Sequence, residues 1–347
     1  MKAIVLESNG NLVYRDVPPP EVREDECLIK VKSAGICHSD ISRAFEQGAY
    51  HYPLIMGHEF SGEIVECGRS VSGFLPGQGV TVFPLIPCFE CHACKELRWV
   101  HCSHYDYYGS RRDGAFAQFI AVKQWNLLPL PDDCDLTLAA LTEPLAVAVH
   151  TAKSIREDKK GKLLIIGAGF IGLSIARLME KRGRFSEIWV FDRNKFKLDI
   201  AGNFGYSTQL LDTAGAANNT FTKYFDVVIE ACGATDTYRN SIQFCNNKAQ
   251  LIWMGNIQGD LCLTKGEISS ILRKEIEIHG VWNSDYQPKG TSDWKDAVDI
   301  IRSQEWIRKL VTHFVPLSEG KTLLEELYKV KKNSLPHPYL KSCLQLY

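Results

Sequence analysis

A glycine-rich run, GAGFIG at residues 167–172, follows the apolar stretch KLLII and comes just before a segment typical of a helix. The run fits the pattern G-x-G-x-x-G, which between a strand and a helix indicates a site for the pyrophosphate of a dinucleotide. Gly167 allows the tight turn, Gly169 lets the backbone approach the pyrophosphate, and Gly172 lets the helix pack closely on the strand. The helix N-terminus also presents free N–H groups and a partial positive charge to the phosphates.

Strand-like and helix-like segments alternate along the chain from residue 162. The strand-like segments are KLLIIGAG, EIWVFD, DVVIEACG, AQLIWMG and IEIHGVW, and helices are predicted through about Arg182, over NKFKLDIAGNFG and near 237–246. Such alternation predicts a parallel sheet covered by helices on both faces, the doubly wound Rossmann arrangement. We expect this dinucleotide-binding domain at residues 150–283.

An acidic residue, Asp192, ends the second strand of that domain, twenty residues after Gly172. A carboxylate there accepts hydrogen bonds from the adenosine ribose and repels a 2′-phosphate, which favours NAD over NADP. Arg193 could tolerate that phosphate, so NADP remains an alternative. Phe170 and Ile171, inside the glycine run, complete the stretch of predicted cofactor-binding residues. A parallel-sheet turn without a ligand is the other alternative.

The first part of the chain, to about residue 130, contains short β-like runs such as CLIKVKSAGI and FSGEIVECG, separated by glycine and proline. This pattern predicts a mostly β domain, partly a barrel. After about residue 284 the chain carries two helix-like segments, WKDAVDIIRSQ and KTLLEELYKVKK, and is expected to return to the first domain. A length of 347 residues favours two domains, here 1–149 with 284–347, and 150–283.

One loop carries a cluster of four cysteines, Cys88, Cys91, Cys94 and Cys102. The spacing C-x2-C-x2-C-x7-C predicts a closed tetrahedral zinc site, although an iron–sulfur cluster also takes four cysteines. Four thiolates leave no open coordination position, so this metal would order the loop rather than bind substrate. The neighbouring histidines are expected to face solvent: His92, His101 and His104.

A second set of ligand types is spread over three segments: Cys37 in GICHSD, His58 and Glu59 in GHEF, and Glu143 in TEPL. One thiolate, one imidazole and one or two carboxylates can leave an open position on zinc, as catalytic sites require. Pro144 is predicted as the first residue of a helix and would keep Glu143 out of helical geometry. The sequence does not decide whether Glu59 or Glu143 is the direct ligand.

The order of these motifs along the chain is similar to that in a known enzyme family. Cys37-His38-Ser39-Asp40, GHEFSGEIVECG, the four-cysteine loop, Glu143-Pro144 and GAGFIG follow one another along the chain. In this the chain resembles the zinc-dependent medium-chain alcohol dehydrogenases over its whole length, and within them the polyol dehydrogenases. The resemblance implies a GroES-like catalytic domain beside the Rossmann domain, two zinc ions per chain, and NAD as the acceptor of a hydride from a secondary hydroxyl of a polyol or polyol phosphate.

The resemblance also implies roles for matching residues. Cys37 and His58 would bind the catalytic zinc with Glu143 or Glu59 and a water, while Ser39 would pass on the proton of the substrate hydroxyl. His38 would lie near the pyrophosphate and Lys197 over the adenosine. There are departures: Ser42 stands where some relatives have a histidine that ends the proton relay, and PYLKSCLQLY lacks the usual glycine before its lysine.

Two adjacent arginines, Arg111 and Arg112 in GSRRDG, are candidates for binding a substrate phosphate, since two guanidiniums can clamp a phosphate bidentately. The alternative is a solvated turn or an ion pair with Asp113. An unphosphorylated polyol or a sugar acid remains an alternative substrate, and carbonyl reduction an alternative reaction. The alternative of a different class is a zinc-containing binding module without catalysis.

Composition excludes several partners. The formal net charge is −1, so no whole-chain field attracts nucleic acid or an anionic membrane. No segment approaches the roughly 18 uninterrupted apolar residues of a membrane span. We therefore expect a cytoplasmic enzyme with a small-molecule substrate and no nucleic-acid or membrane partner, assembled as a homodimer or homotetramer.

Overall fold

The structure is a computed structural model that describes residues 1–212, 221–333 and 337–346. Its strands are β1 (Lys2–Ser8), β2 (Asn11–Asp16), β3 (Glu26–Gly35), β4 (Leu54–Ile55), β5 (Glu59–Cys67), β6 (Gly79–Val82), β7 (Leu85–Ile86), β8 (Asp106–Tyr107), β9 (Phe119–Lys123), β10 (Leu127–Pro129), β11 (Gly161–Ile166), β12 (Phe185–Asp192), β13 (Ser207–Leu210), β14 (Phe225–Glu230), β15 (Cys245–Trp253), β16 (Glu277–Gly280), β17 (His313–Pro316) and β18 (Ser342–Gln345). Its α-helices are α1 (His38–Ser42), α2 (His92–Lys95), α3 (Leu136–Ala139), α4 (Thr142–Ser154), α5 (Phe170–Arg182), α6 (Lys195–Asn203), α7 (Thr235–Phe244), α8 (Lys265–Lys274), α9 (Asp293–Ser303), α10 (Trp306–Lys309) and α11 (Gly320–Asn333).

The chain divides into two compact units, neither of which is a single stretch of sequence. Unit 1 comprises Met1–Ala146, Ser284–Leu335 and Lys341–Tyr347, and unit 2 comprises Val147–Asn283 and Pro336–Leu340. The division after Asn283 coincides with the predicted one, whereas the other lies three residues before the predicted boundary at 149/150. The grouping of a short C-terminal segment with unit 2 has no counterpart in the sequence prediction.

Unit 1 is built on a seven-stranded sheet of order β10-β6-β5-β3-β18-β17, with β9 also pairing to β3. Around it lie a three-stranded sheet, β2-β1-β4, and the two-stranded pair β7-β8. In β3, buried Ile29 and Val31 alternate with exposed Lys30 and Lys32, so one face of the strand packs into the core. The prediction of a mostly β first domain is confirmed.

The C-terminal part of the chain completes unit 1. Both predicted helices form, as α9 and α11, and the Ser292 hydroxyl caps α9 by accepting a hydrogen bond from the N–H of Lys295 at 3.3 Å. β18 then pairs antiparallel with β3 and parallel with β17. The tail therefore docks into the sheet although its lysine, Lys341, lacks the usual preceding glycine.

Unit 2 contains the predicted parallel sheet. Its six strands are all parallel, in the order β13-β12-β11-β14-β15-β16. Numbered from β11, this is the order 3-2-1-4-5-6 of the doubly wound dinucleotide-binding fold, which binds its ligand outside the carboxyl ends of the strands where the order reverses. That point lies between β11 and β14, whose central residues are fully buried, in agreement with their continuous apolar sequences.

One local prediction was wrong. Helix α4 begins at Thr142, so Glu143 and Pro144 both lie in its first turn. Proline is tolerated there because the first four N–H groups of a helix have no intrahelical acceptor, so its missing N–H costs no hydrogen bond. Glu143 is therefore helical, contrary to the expectation that Pro144 would exclude it from the helix.

Candidate active site

Two turns of unit 1 bring the first ligand-type residues together. Cys37 stands between β3 and α1, with φ −91° and ψ 153°, and its N–H donates to Asp40 Oδ2 at 2.9 Å. His58 stands just before β5 and follows Gly57, whose φ is +94°. A Cβ at Gly57 would lie 2.4 Å from the ring of Phe116, so only glycine fits this approach to His58.

Cys37, His58 and Glu59 form a mixed-ligand cluster, in which one ligand atom from each lies within 4.8 Å of the other two. His58 Nδ1 faces Asp40 Oδ1 at 3.4 Å, which leaves Nε2 for a metal. A carboxylate behind the ligating imidazole is the usual arrangement around protein-bound zinc. Asp40 is buried and, with Cys37, raises the pKa of His58 well above its ordinary value, although burial acts in the opposite direction. The donor set suits zinc with an open position.

Glu59 is held by a buried ion pair with Lys341, whose ammonium also donates to the carbonyl of Ile36 at 3.0 Å. Glu59 and Cys37 raise the pKa of Lys341, against the effect of burial. Opposite Glu59 in the sheet stands Gly35, and a Cβ there would lie 2.1 Å from Glu59 Oε2. Glycine at this position therefore makes room for the carboxylate.

Glu143 lies near the mixed-ligand cluster but is not part of it. Burial raises its pKa to about 7, with His58 lowering it and Glu59 raising it, so Glu143 is within electrostatic reach of both ligands. The Tyr107 ring lies edge-on to that of His58, with the ring centroids 5.8 Å apart. Burial, and then the charges of Glu143 and Cys37, raise the pKa of the Tyr107 phenol well above its ordinary value. Of the two carboxylates that the sequence left open, the structure brings Glu59, not Glu143, to Cys37 and His58.

The four cysteines predicted to form the second site also meet. Cys88, Cys91, Cys94 and Cys102 have all sulfur atoms within 4.8 Å of one another. The Cys91–Cys94 distance is 3.5 Å, and the N–H of Cys88 points at the Cys102 sulfur at 3.2 Å. Backbone N–H groups of Cys94 and Ser103 lower the pKa of Cys91 to about 5, whereas burial raises the pKa of Cys94 to about 12. Four converging sulfurs fit a closed zinc site.

The cysteine loop is fixed by aromatic packing. Phe89 and Trp99, both from the loop, lie edge-on to Trp125 with ring centroids 5.2 Å and 5.5 Å away. The nearby histidines are exposed, as expected from four sulfurs that already complete a coordination shell: His92, His101 and His104.

The glycine-rich turn of unit 2 has the geometry that the sequence predicts. Gly167 has φ +115°, and a Cβ there would lie 3.0 Å from the Cys232 sulfur. A Cβ at Gly172 would lie 2.0 Å from the Gly167 carbonyl oxygen, so this glycine is required for the helix to pack on the turn. Gly169 caps α5, and a Cβ there would meet no atom within 4 Å. Phe170 and Ile171 form the first turn of that helix.

Asp192 lies at the end of β12, as predicted, and is buried. Its Oδ2 accepts the N–H of Ala168 at 2.7 Å and its Oδ1 accepts the N–H of Asn194 at 2.8 Å. The carboxylate thus fastens the glycine-rich turn, and each oxygen keeps a second lone pair. Arg193 is exposed and Lys197 lies in α6.

His337 was missed by sequence reasoning. Its carbonyl accepts a hydrogen bond from Asn194 Nδ2 at 3.1 Å, and its Nδ1 accepts the N–H of Tyr339 at 3.2 Å. Burial and the charge of Lys197 lower its pKa to about 4, so the ring is neutral at pH 7 and carries its proton on Nε2. A residue so far along the chain from Asp192 gives no local signal of this proximity.

Three other contributors were also missed: Asp40, Tyr107 and Lys341. Asp40 could have been found from the sequence, because a carboxylate three residues after Cys37 can form a capping box at the start of a helix. The structure contains this capping box. Lys341 and Tyr107 approach through tertiary packing alone. The implied relay residue Ser39 is exposed on α1 beside exposed His38. Ser42 is buried and accepts a hydrogen bond from Lys331 at 2.7 Å.

The two predicted phosphate-binding arginines have different environments. Arg112 pairs with Asp106 at 2.7 Å and lies over the Tyr108 ring, so its charge is already balanced. Arg111 is exposed and its guanidinium lies between the rings of Tyr50 and Tyr105. Asp113, the alternative ion-pair partner, accepts the N–H of Ile55 instead. The two guanidiniums therefore have different partners, and phosphate binding by this pair stays a prediction.

A mixed-ligand metal cluster, a closed sulfur site and a dinucleotide turn together define a zinc-binding dehydrogenase. Residues 23–132 match the family model of the alcohol dehydrogenase GroES-like domain, and residues 161–303 match that of the zinc-binding dehydrogenases. The chain belongs to the zinc-dependent medium-chain alcohol dehydrogenase family. The predicted fold, a dehydrogenase acting on CH–OH, and zinc and NAD as cofactors are confirmed at the level of this family.

Among its relatives, the chain is 30% identical to galactitol 1-phosphate 5-dehydrogenase of Escherichia coli K12 over 343 residues, covering 97% of this chain and 98% of the relative. It is 29% identical to L-threonine 3-dehydrogenase of Rhizobium etli, covering 92% and 93%. The crystal structure of galactitol-1-phosphate dehydrogenase from Escherichia coli superposes with a TM-score of 0.88 at 29% identity, covering 99% and 100%. A protein of Sinorhizobium meliloti described as a zinc-binding dehydrogenase, bound to NADP, has a TM-score of 0.85 at 26% identity, covering 99% and 98%. Within the described residues, no helix has the length and apolarity needed to span a bilayer.

Proposed function

We propose that the chain oxidises a secondary hydroxyl of a polyol or polyol phosphate resembling galactitol 1-phosphate, with NAD as the hydride acceptor. The mixed-ligand cluster of Cys37, His58 and Glu59 carries this proposal, because it offers a sulfur, an imidazole and a carboxylate to one ion. The relative named galactitol 1-phosphate 5-dehydrogenase, matched along nearly its whole length, supports the substrate class.

Each residue of the cluster has a distinct task in this proposal. Zinc, when bound, supplies Lewis acidity that makes a bound hydroxyl a stronger acid, and the nicotinamide takes the hydride. Cys37, His58 and Glu59 would hold the ion, while the Asp40 carboxylate, 3.4 Å behind His58 Nδ1, would leave Nε2 directed at it. Ser39, exposed on α1, would take up the proton of the substrate hydroxyl while it releases its own hydroxyl proton to the ribose or to solvent.

The choice of cofactor rests on Asp192. Its carboxylate lies at the carboxyl end of β12, where the fold places the adenosine ribose, and it opposes a 2′-phosphate. Exposed Arg193 is the feature that could admit NADP, which the Sinorhizobium meliloti neighbour binds. Fluorescence titration with NADH and NADPH tests the assignment, and tighter binding of NADPH would refute it.

Zinc analysis separates the two candidate carboxylates. We expect two zinc ions per chain in the wild-type protein and in Glu143→Gln, but one in Glu59→Gln, because only Glu59 belongs to the mixed-ligand cluster. One zinc in Glu143→Gln with two in Glu59→Gln would reverse the assignment. The carboxamides keep the size of the side chains, so the pair is matched.

A substrate screen tests the proposed reaction. Galactitol 1-phosphate, free polyols, sugar acids, L-threonine and simple alcohols are compared by kcat/KM with NAD and with NADP, and the matching carbonyl compounds are tested in reverse. The proposal predicts the highest value for a polyol or its phosphate. A preference for L-threonine would contradict the substrate class, and no turnover with any compound would favour a binding protein. Mass photometry of the same preparation tests the expected homodimer or homotetramer.

A further inference from the structure

Four side chains on unit 1 form what we call the arginine–tyrosine stack: Arg43, Tyr50, Tyr105 and Arg111. The guanidinium carbon of Arg111 lies 4.6 Å from the Tyr50 ring centroid and 4.3 Å from that of Tyr105. The guanidinium carbon of Arg43 lies 5.6 Å from the Tyr50 ring. One exposed tyrosine ring thus lies against two guanidinium groups, and aromatic faces attract such cations at this range.

The charges of this stack are not balanced by carboxylates. Across residues 1–212, 221–333 and 337–346, neither Arg43 nor Arg111 has an acidic side chain within ion-pair distance. Arg112, the neighbour of Arg111, is by contrast paired with Asp106. Two like charges held at one ring repel each other, and a bound anion would relieve that repulsion. Guanidiniums form bidentate hydrogen bonds to phosphate in particular.

The stack is fixed relative to the mixed-ligand cluster through the backbone. Arg43 begins the helical turn that continues α1, and α1 starts directly after Cys37. The turn that carries Arg111 is bonded to the segment before His58: the N–H of Gly114 donates to Ile55 at 2.7 Å, and that of Ala115 donates to Gly57 at 2.9 Å.

The approach of these two segments depends on glycine. A Cβ at Gly114 would lie 2.2 Å from the Gly57 carbonyl oxygen, and one at Gly109 would lie 2.6 Å from the same atom. A row of aromatic rings also joins the two places, since Tyr105 lies 6.2 Å from Tyr107, which lies 5.8 Å from His58. The stack and the cluster are therefore parts of one rigid surface of unit 1.

We infer that the arginine–tyrosine stack binds the phosphate group of a phosphorylated polyol, with Arg43 and Arg111 as its ligands and Tyr50 and Tyr105 as the rings that hold the guanidiniums in place. This inference rests on the proposed function, since it assigns the distal end of the proposed substrate. The hydroxyl to be oxidised then lies toward Cys37 and His58, and the phosphate toward the stack. Arg112 has no part in binding.

Kinetics with a phosphorylated and an unphosphorylated substrate test the inference. Arg43→Gln and Arg111→Gln should each raise KM for galactitol 1-phosphate by roughly 10- to 150-fold, the range for losing a hydrogen bond to a charged group. KM for galactitol and kcat for both substrates should change less than about twofold, which a general structural defect would not allow. Arg69→Gln is the matched control, an exposed arginine of unit 1 paired with Glu24, and should leave all values unchanged. Equal rises for both substrates would overturn the inference.

A direct binding measurement separates this inference from the proposed function. Inorganic phosphate titrated with wild-type protein should broaden its phosphorus NMR signal, and the broadening should fall in Arg43→Gln and Arg111→Gln but not in Arg69→Gln. Arg111→Lys should recover only part of it, because an ammonium lacks the bidentate geometry. If phosphate binds in this pattern while no polyol phosphate is oxidised, the arginine–tyrosine stack is a phosphate site but the proposed substrate is wrong. If wild-type protein leaves the signal unchanged, or the variants broaden it as the wild type does, the stack is not a phosphate site.

Discussion

Alanine substitutions at two glycines of the GAGFIG turn should have different effects, one on cofactor binding and the other on the stability of the fold. At Gly169 the backbone has φ −76° and ψ 179°, a conformation open to any residue, and an added Cβ meets no atom within 4 Å. At Gly172 the same atom would lie 2.0 Å from the carbonyl oxygen of Gly167, which is backbone and cannot rotate away. Each alanine variant adds one methyl group, but only the methyl group of Gly172→Ala collides with the protein itself.

Gly169→Ala should keep or slightly raise stability, by about 0.4–1 kcal/mol, because alanine restricts the unfolded chain. If the pyrophosphate approaches Gly169 as the sequence predicts, the added methyl group would hinder it, and losing one charge-assisted hydrogen bond of about 1.5–3 kcal/mol would raise the Kd for NADH roughly 10- to 150-fold. Gly172→Ala should instead lower the free energy of unfolding by about 1–3 kcal/mol or more, the range for an overpacked site.

NADH fluorescence titration and urea unfolding of the wild-type protein and both variants measure these effects. The wild-type protein is the reference for both readouts, and the two variants control for each other because they make the same substitution in the same turn. If Gly169→Ala binds NADH as tightly as the wild type, the pyrophosphate does not approach this glycine. If Gly169→Ala unfolds as easily as Gly172→Ala, the space at residue 169 is not open.

Three further perturbations have defined outcomes. Gly35→Ala should displace the Glu59 carboxylate and reduce bound zinc from two ions per chain to one, measured by metal analysis; retention of both would show that the carboxylate can shift without losing the metal. Cys102→Ala should also leave one zinc and should lower Tm, because the missing sulfur frees a loop that zinc orders; an unchanged Tm would contradict this. Asp192→Asn should bring the Kd values for NADPH and NADH closer together, since the repulsion of the 2′-phosphate disappears, although the amide oxygen can accept only one of the two N–H groups, of Ala168 and Asn194, that the carboxylate binds; an unchanged ratio would show that Asp192 does not discriminate.

Sequence reasoning located those features whose residues lie close together along the chain. The glycine-rich turn, the end of β12 at Asp192 and the cysteine loop each lie within one short stretch, so spacing alone specifies what the backbone must do. The all-parallel sheet followed from the alternation of strand-like and helix-like segments, and its strands are buried as their apolar sequences require.

It failed where residues meet only through tertiary packing. Glu59 and Glu143 could not be ranked, because their positions depend on how β5 and α4 lie relative to Cys37. Lys341 forms an ion pair with Glu59 although it lies near the other end of the chain, and no sequence pattern near either residue predicts this ion pair. Arg111 and Arg112 are neighbours in sequence but occupy different environments, since the turn directs one to Asp106 and the other to two tyrosine rings. The expectation that a residue before proline is not helical was wrong for Glu143, because the N–H groups in the first turn of a helix have no intrahelical acceptor and a proline there loses no hydrogen bond.

The last residues of the chain serve both units at once. Residues 337–340 group with unit 2, where the His337 carbonyl meets Asn194, and the chain then returns to unit 1 as β18, which is flanked by β3 and β17. A fragment cut just after α11 would lose a strand from the middle of one sheet, the lysine that pairs with Glu59, and the His337 carbonyl that accepts a hydrogen bond from Asn194. Neither half of this protein can therefore be excised as a contiguous gene segment, and even a modest trimming of its carboxyl terminus damages both halves together.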